Sequence, residues 1–191
     1  MFTGIIKKVG VIHSWNSKSR ILGIKSGFDN LILGESISCS GVCLTVSSFK
    51  ENVFFCNLST ETVSKTNFKT KKEGDKLNLE KSLKIGDDLG GHLVFGHVDG
   101  LSTLNDIKKD KDSWILNFSV SSHLSKYLTN KCSITIDGIS LTVNNVDGEN
   151  FDISIVPFTW KNTNLKFSLV GDKFNLEIDM IARYVFKALK K

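Results

Sequence analysis

The run SCSGVCLTVSSF, Ser38 to Phe49, nearly returns as TIDGISLTVNNV, Thr135 to Val146. With Gly41 set against Gly138, an offset of 97, the match holds without a gap from Ser36 against Ser133 to Ser82 against Asp179. Phe54 meets Phe151 and Thr62 meets Thr159. TNFK at Thr66 meets TNLK at Thr163, and GDKLNLE at Gly74 meets GDKFNLE at Gly171. The starts match loosely at an offset of 92, FTGII at Phe2 against VFGHV at Val94. The second half therefore carries five extra residues, expected in the loop Lys108–Asp112. Two copies of a unit of about 90 residues are too few and too long for a solenoid. They predict tandem homologous domains.

The boundary is expected just after Gly91, where GDDLGGH supplies three glycines to a linker. This divides the chain into 1–91, 92–179 and a tail, 180–191. Within each unit, short runs alternate between apolar and polar residues and are rich in β-branched and aromatic types, the pattern of strands. Asp137-Gly138 between two such runs is a hairpin signal. About six short strands per unit predict a small closed barrel, which leaves no exposed edge. A short helix is expected at STETVSKTNF, with Thr60 as its cap. The tail is helical by spacing: Met180, Ile181, Tyr184, Val185, Ala188 and Leu189 form one apolar stripe. Lys187, Lys190 and Lys191 suit the negative end of its dipole. Such a helix packs on its own barrel or on another copy.

The net charge of +5 and pI of about 9.0 raise the question of nucleic acid. The lysines of Lys69–Lys72 and Lys108–Lys111 are interleaved with Glu73, Asp75, Asp106, Asp110 and Asp112, and no aromatics alternate with them. A solvated loop face is the expectation, not a nucleic-acid surface. No apolar run approaches the roughly 20 residues that span a bilayer. In MFTGIIKKVG the lysines follow a very short apolar run, the wrong order for a signal peptide, so a cytoplasmic protein without membrane partners is expected. Cys39, Cys43, Cys56 and Cys132 show no C-x-x-C spacing and no further convergent ligands, so no metal site is expected. Cys39, Cys56 and Cys132 are expected as buried thiols.

Differences between the copies are informative because matched positions share a geometry. Cys43 faces Ser140, Ser40 faces Asp137, Ser82 faces Asp179, and Ile5 faces His97. Singly, each has an ordinary explanation in packing or turn formation. Together they place an Asp, a His and a second Asp in one half only. That suits a division of labour in which one half binds and the other binds and moves protons.

As a set, MFTGII, SGVCLTV, GGHLVFGHVDG and IDGISLTV resemble the riboflavin synthases of the α-chain type, from Met1 to the tail helix. The resemblance implies an all-β fold of two six-stranded Greek-key barrels and a C-terminal helix. It implies a transferase that dismutates two molecules of 6,7-dimethyl-8-ribityllumazine, passing four carbons from one to the other. Riboflavin and 5-amino-6-ribitylaminouracil result, with no metal, nucleotide or redox cofactor. It also implies a homotrimer held by the tail helices, in which the reacting pair forms between barrels of neighbouring subunits. Association with lumazine synthase is left open.

Carried over by position, the resemblance builds a first pocket from Gly4, Ile5 and Ile6, then Cys43, Leu44 and Thr45. The stretch Asn57, Leu58, Ser59, Thr60, Glu61 and Thr62 holds the ribityl chain. The second pocket uses Gly96, His97 and Val98, then Ser140, Leu141 and Thr142. Its ribityl segment is Ile155, Val156, Pro157, Phe158, Thr159 and Trp160, and Lys131 is a further ligand contact. The catalytic set is Cys43, His97, Ser140, Thr142 and Asp179. His97 with Ser140 and Thr142 is assigned proton transfer at the acidic methyl on C7, Asp179 orients that group, and Cys43 meets the partner lumazine. Phe158 departs from the family, which usually carries a polar residue there. The alternative is a non-enzymatic lumazine- or flavin-binding protein of the antenna type on the same fold.

Overall fold

The computed structural model describes residues 1–189. The first half contains β1 (Lys8–Asn16), β2 (Ile21–Lys25), β3 (Ser36–Cys39), β4 (Val42–Thr45), β5 (Ser48–Lys50), β6 (Val53–Asn57), the helix α1 (Thr60–Lys65) and β7 (Lys76–Lys81). The second contains β8 (Gly100–Asp110), β9 (Ser113–Ser119), α2 (Ser122–Ser125), β10 (Ser133–Ile136), β11 (Ile139–Asp147), β12 (Asn150–Ile155), α3 (Pro157–Asn162) and β13 (Lys173–Ile178), and α4 (Met180–Leu189) ends the chain.

The second half is a closed six-stranded antiparallel barrel, ordered β10-β11-β12-β9-β8-β13. The first follows the same order in a barrel-like sheet, β4-β3-β7-β1-β2-β6-β5, that does not close: it has seven strands where a closed set of six was expected. The extra strand is one strand broken in two. At the corner, Val46 stays bonded to Glu35 and Gly34, while Ser47 N turns to Phe55 O at 2.8 Å. The chain thus changes partner between β4 and β5. β11 makes the same corner with a bulge between Val143 and Asn145 and remains one strand. A second pair of bulges matches too, after Ile12 in β1 and after Leu104 in β8.

Alternating strand residues fill each barrel. Leu22, Ile24, Ile37, Phe54, Leu77 and Leu79 are fully buried in the first. Leu104, Leu116, Phe118, Ile134, Ile153 and Leu176 are fully buried in the second, where Phe118 stacks on Phe151 and meets Phe174 edge-on. Each such side chain stabilises the fold by about 1.5–3 kcal/mol.

Several local expectations need correction. The cap of α1 is Ser59, whose Oγ accepts from Thr62 N at 2.9 Å, and not Thr60. The five extra residues are not in one loop. Pairing registers set Ser14 against Asp106 but Gly23 against Asn117, offsets of 92 and 94. Two residues therefore lengthen the β8–β9 hairpin and three enter the β9–β10 connection, which carries α2. In α4 the predicted stripe faces outward: Ile181, Tyr184, Val185 and Leu189 are exposed. Ala182, Arg183 and Phe186 turn inward instead, with Arg183 paired to Asp99 and Phe186 edge-on to Tyr127. Lys187 lies in the last turn, while Lys190 and Lys191 lie outside the described residues.

The halves meet about a pseudo-twofold axis. Phe2 and Val94 exchange backbone hydrogen bonds of 2.7 and 3.1 Å. A Cβ on Gly41 or Gly138 would lie within 2.8 Å of the other residue's nitrogen, so neither site accepts a side chain. Around them Asn78 Nδ2 donates to Asp137 O and, in mirror image, Asn175 Nδ2 donates to Ser40 O. Asn67 and Asn164, from the repeated TN motifs, complete this buried seam.

Candidate active site

The arm before β1 does not stay with its own barrel. Gly4 O accepts from Ser140 N at 2.9 Å, and Ile6 packs on the second core. The arm before β8 crosses the other way: Gly96 O accepts from Cys43 N at 3.0 Å, and Val98 packs on the first core. A Cβ on Gly4 would fall 2.5 Å from Ser140 Cβ, and one on Gly96 would fall 2.6 Å from Cys43 Cβ. Both glycines also hold φ of +75°, a region open to glycine at no steric cost. The expected grouping is therefore reversed: Gly4, Ile5 and Ile6 join Ser140, while Gly96, His97 and Val98 join Cys43.

Each arm remains tied to its own barrel by a buried carboxylate. Glu80 on β7 accepts from Thr3 N (2.8 Å), Thr3 Oγ1 (2.7 Å) and Gly4 N (2.9 Å). Glu177 on β13 accepts from Phe95 N (2.7 Å), Gly96 N (2.9 Å) and His97 N (3.1 Å). Burial raises both pKa values, against the opposing pull of these donors.

A cavity of about 280 Å³ lies against Cys43, lined also by Glu61, Thr62 and Lys65 of α1 and by Gly96, His97 and Val98 of the crossed arm. That is near the lower bound of about 300 Å³ for small-molecule sites. His97 is exposed in this pocket. Within one chain it is grouped with Cys43 and not, as expected from the resemblance, with Ser140 and Thr142.

The histidine at Ser140 is His92, which the comparison of copies missed. Its Nδ1 lies 2.8 Å from Ser140 Oγ and its Nε2 lies 3.0 Å from Thr135 Oγ1. Burial lowers its pKa, and the carboxylate of Asp179 opposes that shift. The imidazole is thus neutral near pH 7. A Thr135 oxygen accepting from Nε2–H leaves Nδ1 free to take a proton from Ser140. Asp179 also caps α4, accepting from Ile181 N at 2.9 Å. Thr142 lies two residues from Ser140 on β11 and so shares its face. In the repeat, Phe158, 75% exposed, stands at the position of Glu61, the α1 residue that lines the Cys43 cavity.

Several expected ligand contacts turn away. The side chains of Leu44 and Leu58 lie in the first core, and those of Ile155 and Leu141 pack in or on the second. Only their backbone is available. Trp160 is stacked on Trp114 at 4.6 Å. Thr45, Asn57, Ser59, Thr60 and Val156 are exposed and line no described cavity, with Pro157 and Thr159 half-buried at the start of α3. Lys131 is exposed and adopts φ of 69° at the position of Gly34. Asp137 is not in either pocket. It is fully buried in the seam, accepting from Asn164, Asn67 and Asn175, and burial raises its pKa to about 6. Burial also pushes the Cys56 thiol up to about 12 and raises Cys39 and Cys132, which suits inert thiols. Cys39 and Cys56 are buried as expected, Cys132 is only half-buried where burial was expected, Cys43 is half-buried, and all four are free. A larger hollow, about 490 Å³, opens beside the seam around Lys71 and Lys173 and contains none of the expected ligand residues.

Comparison with known proteins gives one consistent result. The chain matches the lumazine binding domain twice, over residues 3–82 and 95–179. It is 41% identical to the riboflavin synthase of Photobacterium phosphoreum, over 99% of this chain and 89% of that protein. It is 34% identical to the riboflavin synthase of Bacillus subtilis strain 168, over 100% of this chain and 91% of that one. Among solved structures, LumP complexed with riboflavin superposes with a TM-score of 0.85 at 22% identity, over 93% of this chain and 99% of LumP.

Proposed function

The chain belongs to the riboflavin synthase family, and from that premise we propose how two unlike pockets divide the dismutation of 6,7-dimethyl-8-ribityllumazine. The enzyme is a transferase: one lumazine surrenders a four-carbon unit to a second, giving riboflavin and 5-amino-6-ribitylaminouracil.

The observation that carries the assignment of roles is His92, held between Ser140 and Thr135 in the second half only. Its neutral ring is suited to accept a proton from the C7 methyl group of the lumazine beside it, directly or through Ser140 Oγ. The resulting carbanion is delocalised into the heterocycle. Asp179 supports the imidazolium that forms, because its field favours the charged ring. Thr142 adds a hydroxyl on the same strand face. Cys43 and His97 work on the other lumazine, in the pocket where Glu61, Thr62 and Lys65 offer polar groups to its ribityl chain. Placing two flat rings face to face removes the entropic cost of a bimolecular encounter.

The two pockets meet between subunits on this reading, in a cytoplasmic homotrimer held by α4. The exposed stripe Ile181, Tyr184, Val185 and Leu189 supports it, since a one-sided apolar face needs cover. No helix among the described residues is long and apolar enough to cross a membrane. Incubation of purified protein with the lumazine alone tests the function. Riboflavin and the uracil should appear in equal amounts without added metal or cofactor. Tight binding without riboflavin would contradict it.

A further inference from the structure

Glu80 and Glu177 belong to neither pocket, yet each is almost fully buried, 3% and 4% exposed, and each accepts three hydrogen bonds from one arm. Every donor facing them is a backbone N–H or the Thr3 hydroxyl. No cation pairs with either at close range: Lys81–Glu35 and Arg183–Asp99 are the ion pairs among the described residues. A buried, unpaired carboxylate is costly. Three donors converging on one side chain call for an acceptor on both of its oxygens, which a carboxylate supplies and an amide does not.

The geometry of the glycines shows what the carboxylates control. Gly96 N donates to Glu177 on the second barrel, while Gly96 O accepts from Cys43 N on the first. Gly4 N donates to Glu80 on the first barrel, while Gly4 O accepts from Ser140 N on the second. One residue is thus held from both sides. The near-contact of each glycine with Cys43 or Ser140 leaves no slack. Movement of the carboxylate moves the wall of the opposite pocket.

We propose that Glu80 and Glu177 are positioning residues that act crosswise: each fixes, from its own barrel, the arm that completes the other barrel's pocket. Glu177 sets Gly96 and His97 against Cys43, and Glu80 sets Thr3 and Gly4 against Ser140. The proposal rests on the reading of these two sites as lumazine pockets. Glutamine at either position keeps the shape but turns an amide N–H₂ toward backbone donors.

The test measures lumazine affinity one pocket at a time, by fluorescence titration of the full chain. Cys43→Phe or Ser140→Phe blocks the pocket not under study. Glu177→Gln should weaken the Cys43 pocket about tenfold, the loss of one hydrogen bond to a charged group, and leave the Ser140 pocket unchanged. Glu80→Gln should do the reverse. In Glu177→Gln the ring resonances of His97 should also shift while those of His92 stay in place, which a general loosening of the fold would not produce. Equal weakening of both pockets, or weakening in the pocket of the variant's own barrel, overturns the proposal. Should the glutamine variants fail to fold, Thr3→Val removes a single hydroxyl from the Glu80 carboxylate. It should weaken only the Ser140 pocket, and no change there overturns the proposal. A parent protein that binds no lumazine overturns the pocket reading and this proposal together, whereas a binding parent with uncrossed variants overturns this proposal alone.

Discussion

The two halves share a strand circuit, their bulges and a glutamate-held arm, yet the pockets built on that common frame are chemically unlike. The first presents a thiol, Cys43, with Glu61 and Lys65 at its rim and an exposed His97. The second presents a hydroxyl, Ser140, backed by a half-buried imidazole, and carries the exposed Phe158 at the position of Glu61. On the function proposed above, backbone symmetry gives two identical molecules equivalent grips, and side-chain asymmetry gives them different fates.

The comparison matters only if the two pockets face each other, and α4 is where that can be broken most completely. Val185→Asp with Leu189→Asp puts two charges into the stripe proposed to be dry. Sedimentation should report monomers, circular dichroism should report intact barrels, and riboflavin formation should fall to background. A monomer with full turnover would place the reacting pair within one chain.

His92→Ala attacks the asymmetry itself. Loss of a general base commonly costs about 10²–10⁴-fold in rate, and steady-state turnover should fall by that order while riboflavin affinity holds. His97→Ala should instead act mainly on binding at the Cys43 pocket. If the two variants lost turnover equally, the division of labour would fail.

A subtler difference lies in the seam, where Asp137 stands opposite Ser40. Its folded pKa, about 6, is above the unfolded value of about 3.9. A carboxyl raised in this way favours the folded state most at pH below the unfolded value, and that contribution is lost as pH rises toward 6. The stability of the parent relative to Asp137→Asn, from urea melts, should therefore increase by roughly 2 kcal/mol between pH 6 and pH 4. A flat difference would mean that Asp137 is ionised throughout.

The smallest expected effect is at the rim. Phe158→Glu makes the second pocket resemble the first, and lumazine affinity there should change by no more than about tenfold, one rim contact's worth. A larger change would make Phe158 an anchor of the ring.

The barrel circuit was legible in the sequence because its signals are local. Alternation marks the strands, and Asp137-Gly138, at φ of 44° and 80°, forms the expected tight hairpin turn. The crossing of the arms was not legible. FTGII and VFGHV fit either barrel equally well, and exchanging them changes no pattern of burial along the chain. His92 escaped for a different reason. At an offset of 92 it has no matched position among residues 1–191 to reveal a difference. Glu80 and Glu177 are hidden for the opposite reason: they are identical in the two copies, so a comparison of differences does not mark them. An acid repeated at the same place in the two alternating strands, KLNLEK and KFNLEI, was the available signal. The outward stripe of α4 was visible as an apolar face, but not which face Arg183 and Phe186 would tie to the barrel.

In the crossed arrangement each site is completed by the other half's arm, so that His97 belongs with Cys43 and His92 with Ser140. Histidine ring resonances, recorded by ¹H–¹⁵N correlation on the full-length protein, test it most directly. Cys43→Ala should shift the His97 signals and leave His92 unmoved, while Ser140→Ala should shift His92 and leave His97 unmoved. The reverse pattern, with Ser140→Ala moving His97, would contradict the crossed arrangement.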